Sequence, residues 1–115
     1  MSELETLIQR ITRFRDERDW KQFHHPKDMI LSLFMESAEL AEHFQWKSDR
    51  EIEELIATRR GELGDELADI LYWVLLLGHD LGIDLSAAFE AKMQKNETKY
   101  PAERARGRST KYDEL

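Results

Sequence analysis

The sequence contains no cysteine and only two prolines among its 115 residues. Without cysteine the chain can form neither a disulfide bridge nor a thiolate metal site, and a reducing compartment is the default expectation. The longest apolar run, 70–77, is much shorter than the ~20 residues that a membrane-spanning helix needs. The first residues are acidic, whereas a secretory signal begins with basic ones. We therefore expect a cytoplasmic protein that does not insert into a membrane.

A basic surface is also missing. The formal net charge is −7, because 24 acidic residues outnumber 17 Lys and Arg, and the acids are spread along the chain. Proteins that bind nucleic-acid polymers normally carry a basic face, so we expect no such partner. A small anionic ligand that is held through metal ions remains compatible with this charge.

The periodicity of the apolar residues predicts an all-α protein, a bundle of four to five helices in which no strand-like alternation or internal repeat occurs. Apolar residues recur at steps of three and four over 3–18, 27–45 and 85–99. Between the second and third of these segments, a charged stretch leads into the most apolar stretch of the chain. This stretch predicts either one long helix to about Leu81 or a short helix and a long helix separated near 58–61.

Local start and stop signals agree with these helices. Ser2 and Ser48 each precede a Glu by three residues, which is the capping-box pattern. Pro26 suits the first position of a helix, and Asp84 can cap the last helix. Gly82 is placed to end the long helix in the left-handed conformation.

The segment 70–77 is apolar on all sides rather than on one stripe. A helix of this kind must be covered all round, and four short helices of one chain this size cannot do so. We therefore expect a homodimer or homotetramer with a shared helical core. Residues 1–100 are expected to form the domain, and 101–115, which lack periodicity, a tail that is mobile or packed on a neighbouring subunit.

Two pairs of carboxylates, Glu36 with Glu39 and Glu66 with Asp69, stand in apolar helical segments. Residues three apart share one face of a helix, so antiparallel packing of the two helices would bring four acids together. Such a cluster needs a cation or protonation, and ligands that are all oxygen favour Mg²⁺, with Mn²⁺ as an alternative. One such pair alone is more often a solvated surface feature, but both pairs here have apolar neighbours.

A carboxylate-bound hard metal suits phosphoryl chemistry, because it can bridge phosphate oxygens and activate a water. The basic residues that could contact phosphates are Lys47, Arg50, Lys92, Lys95 and Lys99. Three tryptophans offer faces for a nucleobase, although each alone is more often a core residue: Trp20, Trp46 and Trp73. The aromatic connection at 19–26, with Trp20 and Phe23, either plugs the end of the bundle or forms one wall of a base pocket.

Taken together, these motifs resemble the MazG-like all-α nucleoside triphosphate pyrophosphohydrolases, most closely the dCTP-pyrophosphatase type. They occur in order as 18–26 (RDWKQFHHP), 36–42 (ESAELAE), 44–46 (FQW), 66–71 (ELADIL), 92–96 (KMQKN), 100–101 (YP) and 106–112 (RGRSTKY). The resemblance thus covers nearly the whole chain. It implies a Mg²⁺-dependent enzyme that clears the nucleotide pool by cleaving a dNTP, dCTP or a modified dCTP, into dNMP and pyrophosphate.

The resemblance also assigns roles to residues. The metal ligands, which are the catalytic residues, would be Glu36, Glu39, Glu66 and Asp69. The pocket for base and sugar would include Trp20, His24 and Trp46, and the nucleotide would also be reached by Lys92 and Asn96. Trp73 is a departure, since relatives of the dCTP type have a tyrosine there and this chain has Tyr72 beside it. The exact nucleotide preference therefore stays open.

Two other classes of protein fit parts of the pattern. A redox carboxylate bundle uses Glu-x-x-His motifs, and His43, four residues after Glu39, is the only approach to one. In a non-catalytic helical interaction or regulatory module, the acids would instead be solvent-exposed side chains along the edges of the helix contacts. A thermal stability that responds to Mg²⁺ would distinguish the enzyme from the module.

Overall fold

The computed structural model describes residues 1–115, and all of its regular elements are helical, which confirms the predicted class. The α-helices are α1 (Glu3–Glu17), α2 (Pro26–Phe44), α3 (Asp49–Thr58), α4 (Arg60–Asp80), α5 (Leu85–Lys99) and α6 (Ala102–Ala105). Short 3₁₀ turns lie at Lys21–Phe23 and Tyr112–Glu114. None of the six α-helices taken singly has the length and apolar character of a membrane span.

The helix ends follow the local signals. The hydroxyl oxygens of Ser2 and Ser48 each accept a hydrogen bond of 3.2 Å from the backbone N–H three residues on, and both capping boxes are complete. The carboxylate of Asp84 caps α5 in the same way, at 3.1 Å from the N–H of Ala87. Gly82 has a φ of +69°, so it follows α4 in the left-handed conformation that a Cβ disfavours.

The charged segment and the apolar segment form two helices rather than one. The break lies at Arg59, whose backbone (φ −124°, ψ 33°) leaves the helical region between α3 and α4. The second of the two alternatives is therefore the correct one. This break, together with α6, raises the number of α-helices to six.

Helix α4 is the centre of the first compact unit, 1–82, where it packs against α1, α2 and α3. Its buried residues Leu76 and Leu77 form the core with Met29 of α2. Residues 83–115 make a second compact unit that contains α5 and α6. Within it, the rings of Tyr100 and Tyr112 meet edge to face, with centroids 6.1 Å apart.

An apolar surface remains uncovered on α2 and on the first half of α4. Phe34 and Met35 of α2 are 70% and 62% exposed, and Leu67 and Leu71 of α4 are 55% and 44% exposed. The second half of α4, by contrast, is buried at Leu75, Leu76 and Leu77. The apolar character of 70–77 is thus satisfied only in part within one chain.

Candidate functional site

The aromatic connection between α1 and α2 is an ordered turn. The carbonyl oxygen of Arg15 accepts hydrogen bonds from the N–H groups of Arg18 (3.2 Å) and Trp20 (3.1 Å), which closes the end of α1. Asp19 takes the left-handed conformation (φ +53°), and its carboxylate and carbonyl both accept from the side chain of Gln22. Asp tolerates this conformation better than most residues. The turn therefore fixes the position of the backbone at Trp20.

A cavity of about 490 Å³ lies between this turn and helices α1, α2 and α4. It is lined by Leu7, Arg10, Ile11, Phe14, Trp20, His24, Glu36, Asp69, Tyr72 and Trp73. We call it the aromatic cavity. Its rings contact one another edge to face, from Trp20 through Phe14, Tyr72 and Trp73 to His24, with centroids 4.9–6.4 Å apart. A cavity of this size and lining is typical of a site for a small planar ligand.

His24 is the polar group among these rings. Its Nδ1 atom is buried and has no hydrogen-bond partner. Burial lowers the pKa of His24, and the positive charge of Arg15 lowers it further, against an opposing effect of Asp80. A neutral imidazole has one donor and one acceptor nitrogen, so His24 can hydrogen-bond a polar ligand atom in the cavity.

Three of the four predicted acids come together where α2 meets α4. One carboxylate oxygen each from Glu36, Glu39 and Glu66 lies within 4.8 Å of the other two. Asp69 is not part of this trio, but it lines the aromatic cavity together with Glu36. The side chain of His43 adjoins the trio, with Nε2 3.5 Å from Oε1 of Glu66.

The environment of Glu36 fits a cation. Burial raises its pKa, and the negative charges of Glu39, Asp69 and Glu66 raise it further. Its Oε2 atom is buried and accepts no hydrogen bond. A carboxylate in this position is unfavourable when charged and unpartnered, and a hard cation with oxygen ligands would satisfy it.

A second cavity, of about 730 Å³, lies on the other side of the acids. We call it the polar cavity. Its lining, which comes from α2, α3, α4 and the two connections between them, is Glu39, Glu42, His43, Lys47, Glu51, Glu54, Leu55, Thr58, Arg59 and Glu66. Lys47 and Arg59 supply its positive charge, and acids outnumber them. A polyanion would therefore enter it most easily with its own metal ions.

The other predicted site residues are distributed differently. Trp20, His24 and Trp73 share the aromatic cavity. Trp46 lies in the α2–α3 connection, 92% exposed, with a left-handed backbone (φ +68°), and it lines neither cavity described above. Lys92 and Asn96 lie on α5 in the second compact unit.

Sequence reasoning missed a buried ion pair below the aromatic turn. Arg15, only 1% exposed, donates two hydrogen bonds to the carboxylate of Asp80, at 2.7 and 2.9 Å. A signal for it was present, because Arg15 continues the apolar stripe of α1 four residues after Ile11, and Asp80 stands four residues after Leu76. Arg59 in the polar cavity was also not among the predicted phosphate contacts.

Comparison with known proteins identifies relatives of the whole chain. The model of the MazG-like family matches residues 31–115. The dCTP pyrophosphatase 1 of Homo sapiens is 41% identical over 114 residues, which cover 97% of this chain and 67% of the human protein. That of Mus musculus is 40% identical with the same coverage. A solved pyrophosphatase structure from Archaeoglobus fulgidus DSM 4304 superposes with a TM-score of 0.82 and 40% identity, covering 88% of this chain and 94% of that one.

Proposed function

The chain belongs to the MazG-like family and is a nucleoside triphosphate pyrophosphohydrolase, and we propose that its substrate is dCTP or a modified dCTP, which it converts with water into the monophosphate and pyrophosphate. The proposed catalytic residues are Glu36, Glu39, Glu66 and Asp69. The relatives named dCTP pyrophosphatase support the choice of nucleotide.

The observation that carries the proposal is the position of the acids between two cavities of different character. Glu36 and Asp69 line the aromatic cavity, whereas Glu39 and Glu66 line the polar one. A nucleotide has the same polarity, with a planar apolar base at one end and charged phosphates at the other. If the base occupies the aromatic cavity and the outer phosphates the polar one, the bond between the α- and β-phosphates lies beside the acids.

We propose Mg²⁺ as the cation, held by Glu36, Glu39 and Glu66, with Asp69 as a further ligand. When bound, Mg²⁺ would neutralise phosphate charge and lower the pKa of a coordinated water. The all-oxygen donor set and the buried, unpartnered oxygen of Glu36 support this choice. His43, at 3.5 Å from Glu66, would hold that carboxylate in place.

The aromatic cavity would bind the base and exclude water from the reaction. Trp20 and Trp73 line this cavity and would stack on a planar ring, a contact worth about 1–3 kcal/mol in single-strand binders. His24 would hydrogen-bond a polar atom of the base or sugar. Trp46, whose ring is almost fully exposed, is proposed to close over the nucleotide.

The phosphates would be contacted by Lys47 and Arg59 in the polar cavity. Since acids dominate this cavity, these two cations would act on a metal-bound triphosphate rather than on a free one. Lys92 and Asn96 of α5 are proposed, through the family resemblance, to reach the nucleotide as well.

We also propose that the protein functions as a homodimer or homotetramer. The uncovered apolar side chains of α2 and α4, among them Phe34, Met35 and Leu67, support this, because an apolar surface of this kind marks a protein contact. A copy of the same chain would complete the cover that the first half of α4 lacks.

The test is pyrophosphate release from a panel of canonical and modified dNTPs, with Mg²⁺ and with EDTA. We expect metal-dependent release, fastest from dCTP or a modified dCTP. Glu39→Gln and Asp69→Asn should each abolish it, whereas Asp65→Asn, an exposed acid of α4 outside both cavities, should not. No release from any nucleotide would instead favour a non-catalytic interaction module.

A further inference from the structure

The ion pair between Arg15 and Asp80 joins the C-terminal ends of α1 and α4. The two residues are 65 positions apart, and the guanidinium meets the carboxylate through two parallel hydrogen bonds of 2.7 and 2.9 Å. Arg15 is 1% exposed, and the side chain of Asp80 is 13% exposed. Two-point contact of this kind fixes direction as well as distance.

Stability alone does not explain a buried ion pair. Removing both charges from water costs about as much as their attraction returns, and apolar residues of similar volume are often as stable or more so. Arg15 also keeps one nitrogen, Nε, buried without a partner. The pair therefore adds little net stability to the contact between the two helix ends. This points instead to a role in positioning the groups around it.

The geometry that the pair controls is that of the aromatic turn. The same Arg15 whose side chain is fixed by Asp80 accepts the backbone N–H of Trp20 through its carbonyl oxygen, at 3.1 Å. Its charge also acts on His24, the polar group of the aromatic cavity. One residue thus links the end of α4 to the first ring of the cavity and to its hydrogen-bonding imidazole.

We propose that Arg15, held by Asp80, is a positioning residue for nucleobase binding: it fixes the turn that presents Trp20 and His24 to the aromatic cavity. This inference rests on the proposed function, since it assigns the base to that cavity. It makes the pair a determinant of substrate affinity rather than of the chemical step, because neither residue lines the cavity or belongs to the acid trio.

The experiment replaces the pair by apolar residues in the double variant Arg15→Met/Asp80→Leu, which leaves no unpaired buried charge. Arg15→Lys keeps the charge but loses the two-point contact. The matched control is Arg13→Met, an exposed arginine of the same helix. For each protein we would measure the melting temperature, and kcat and KM for metal-dependent pyrophosphate release from dCTP.

We expect the double variant to melt at or above the wild-type temperature while its KM rises about tenfold, equivalent to ~1.4 kcal/mol. Its kcat should stay nearly unchanged, which is the pattern of lost binding that is equal in ground and transition states. Arg15→Lys should raise KM less, and Arg13→Met not at all. An unchanged KM in a folded, active double variant would overturn the positioning role alone, whereas a wild type that turns over no nucleotide would overturn the proposed function and this inference with it.

Discussion

Replacing Glu36 by glutamine should stabilise the folded protein in the absence of metal and abolish its response to Mg²⁺. Three carboxylate oxygens lie within 4.8 Å of one another, and at an effective dielectric constant near 20 two unit charges at that distance repel by about 3.5 kcal/mol. Because Glu39 is exposed, solvent screens much of this repulsion, and we expect a net gain of about 1 kcal/mol. For 115 residues that gain raises the melting temperature by about 4 °C.

The sign of the pH dependence follows from the direction of the pKa shift. Burial, then the neighbouring acids, raise the pKa of Glu36 in the folded state. The folded protein therefore binds more protons than the unfolded chain between the two pKa values, and its stability falls as the pH rises through that window. Glu36→Gln removes this loss, so its advantage should be present at neutral pH and disappear in acid.

Mg²⁺ should reverse the order of the two melting temperatures, so that the wild type melts above Glu36→Gln. At a Mg²⁺ concentration of about 100 times the dissociation constant, the wild type gains ~2.7 kcal/mol, or about 11 °C, and the variant gains little. Thermal unfolding followed by circular dichroism, in EDTA and in Mg²⁺, measures both effects. Glu53→Gln, an exposed acid of α3 outside both cavities, is the matched control. A wild type whose melting temperature ignores Mg²⁺ and Mn²⁺, or a variant that retains the full shift, would refute the assignment of the acids to a cation site.

Three further predictions concern other parts of the molecule. Asp80→Asn should lower the stability by about 3–5 kcal/mol and the melting temperature by about 12–20 °C, because it leaves Arg15 buried without a counter-charge. The hydrogen bond from Arg15 lowers the pKa of Asp80 in the folded protein, so the stabilisation by the ion pair should be present above the unfolded-state pKa and lost as the pH falls through the folded-state pKa. An acid titration of the wild type and of the double variant Arg15→Met/Asp80→Leu measures this loss. Equal acid sensitivity of the two proteins would contradict it. Trp46→Ala should raise KM for dCTP without changing the melting temperature, because the ring is 92% exposed; steady-state kinetics and calorimetry check this, and a large loss of stability would disprove it. Phe34→Lys should dissociate the proposed oligomer towards the 13.7 kDa monomer in sedimentation experiments, and an unchanged mass would exclude this face from the interface.

The helices were predictable from the sequence because the signals that set their ends are local. The Ser2 and Ser48 caps, the Asp84 cap and the left-handed Gly82 each depend on residues within one turn of the chain. The separation of α3 from α4 could be given only as one of two alternatives, since Gly61 and Gly64 each disfavour a helix by about 1 kcal/mol, which a helix can tolerate and which does not by itself decide where it breaks.

For the candidate site, helical spacing predicts which acids of one helix lie together, but it does not predict the contacts between helices. Spacing put Glu36 beside Glu39, but the approach of Glu66 depends on how α2 packs on α4. The ion pair between Arg15 and Asp80 joins positions 65 apart, and a single charge in an apolar stripe does not reveal its partner. Arg59 is brought to the polar cavity by the break between α3 and α4, which sequence reasoning had left open.

The division of α4 into two halves explains how one helix can serve both the core and the proposed site. Leu75, Leu76 and Leu77 are buried, which fixes the axis and rotation of the second half. Because a helix is continuous and stiff, the first half then projects Glu66 towards Glu36 and Glu39 with little freedom. Clustered carboxylates oppose folding, so their position next to a core is tolerated only where that core supplies enough stability to hold them. Glu66 is thus placed by the packing of its own helix, from Leu63 three residues before it to Leu75, Leu76 and Leu77 further along, and a metal-bound nucleotide would relieve the repulsion that this packing imposes.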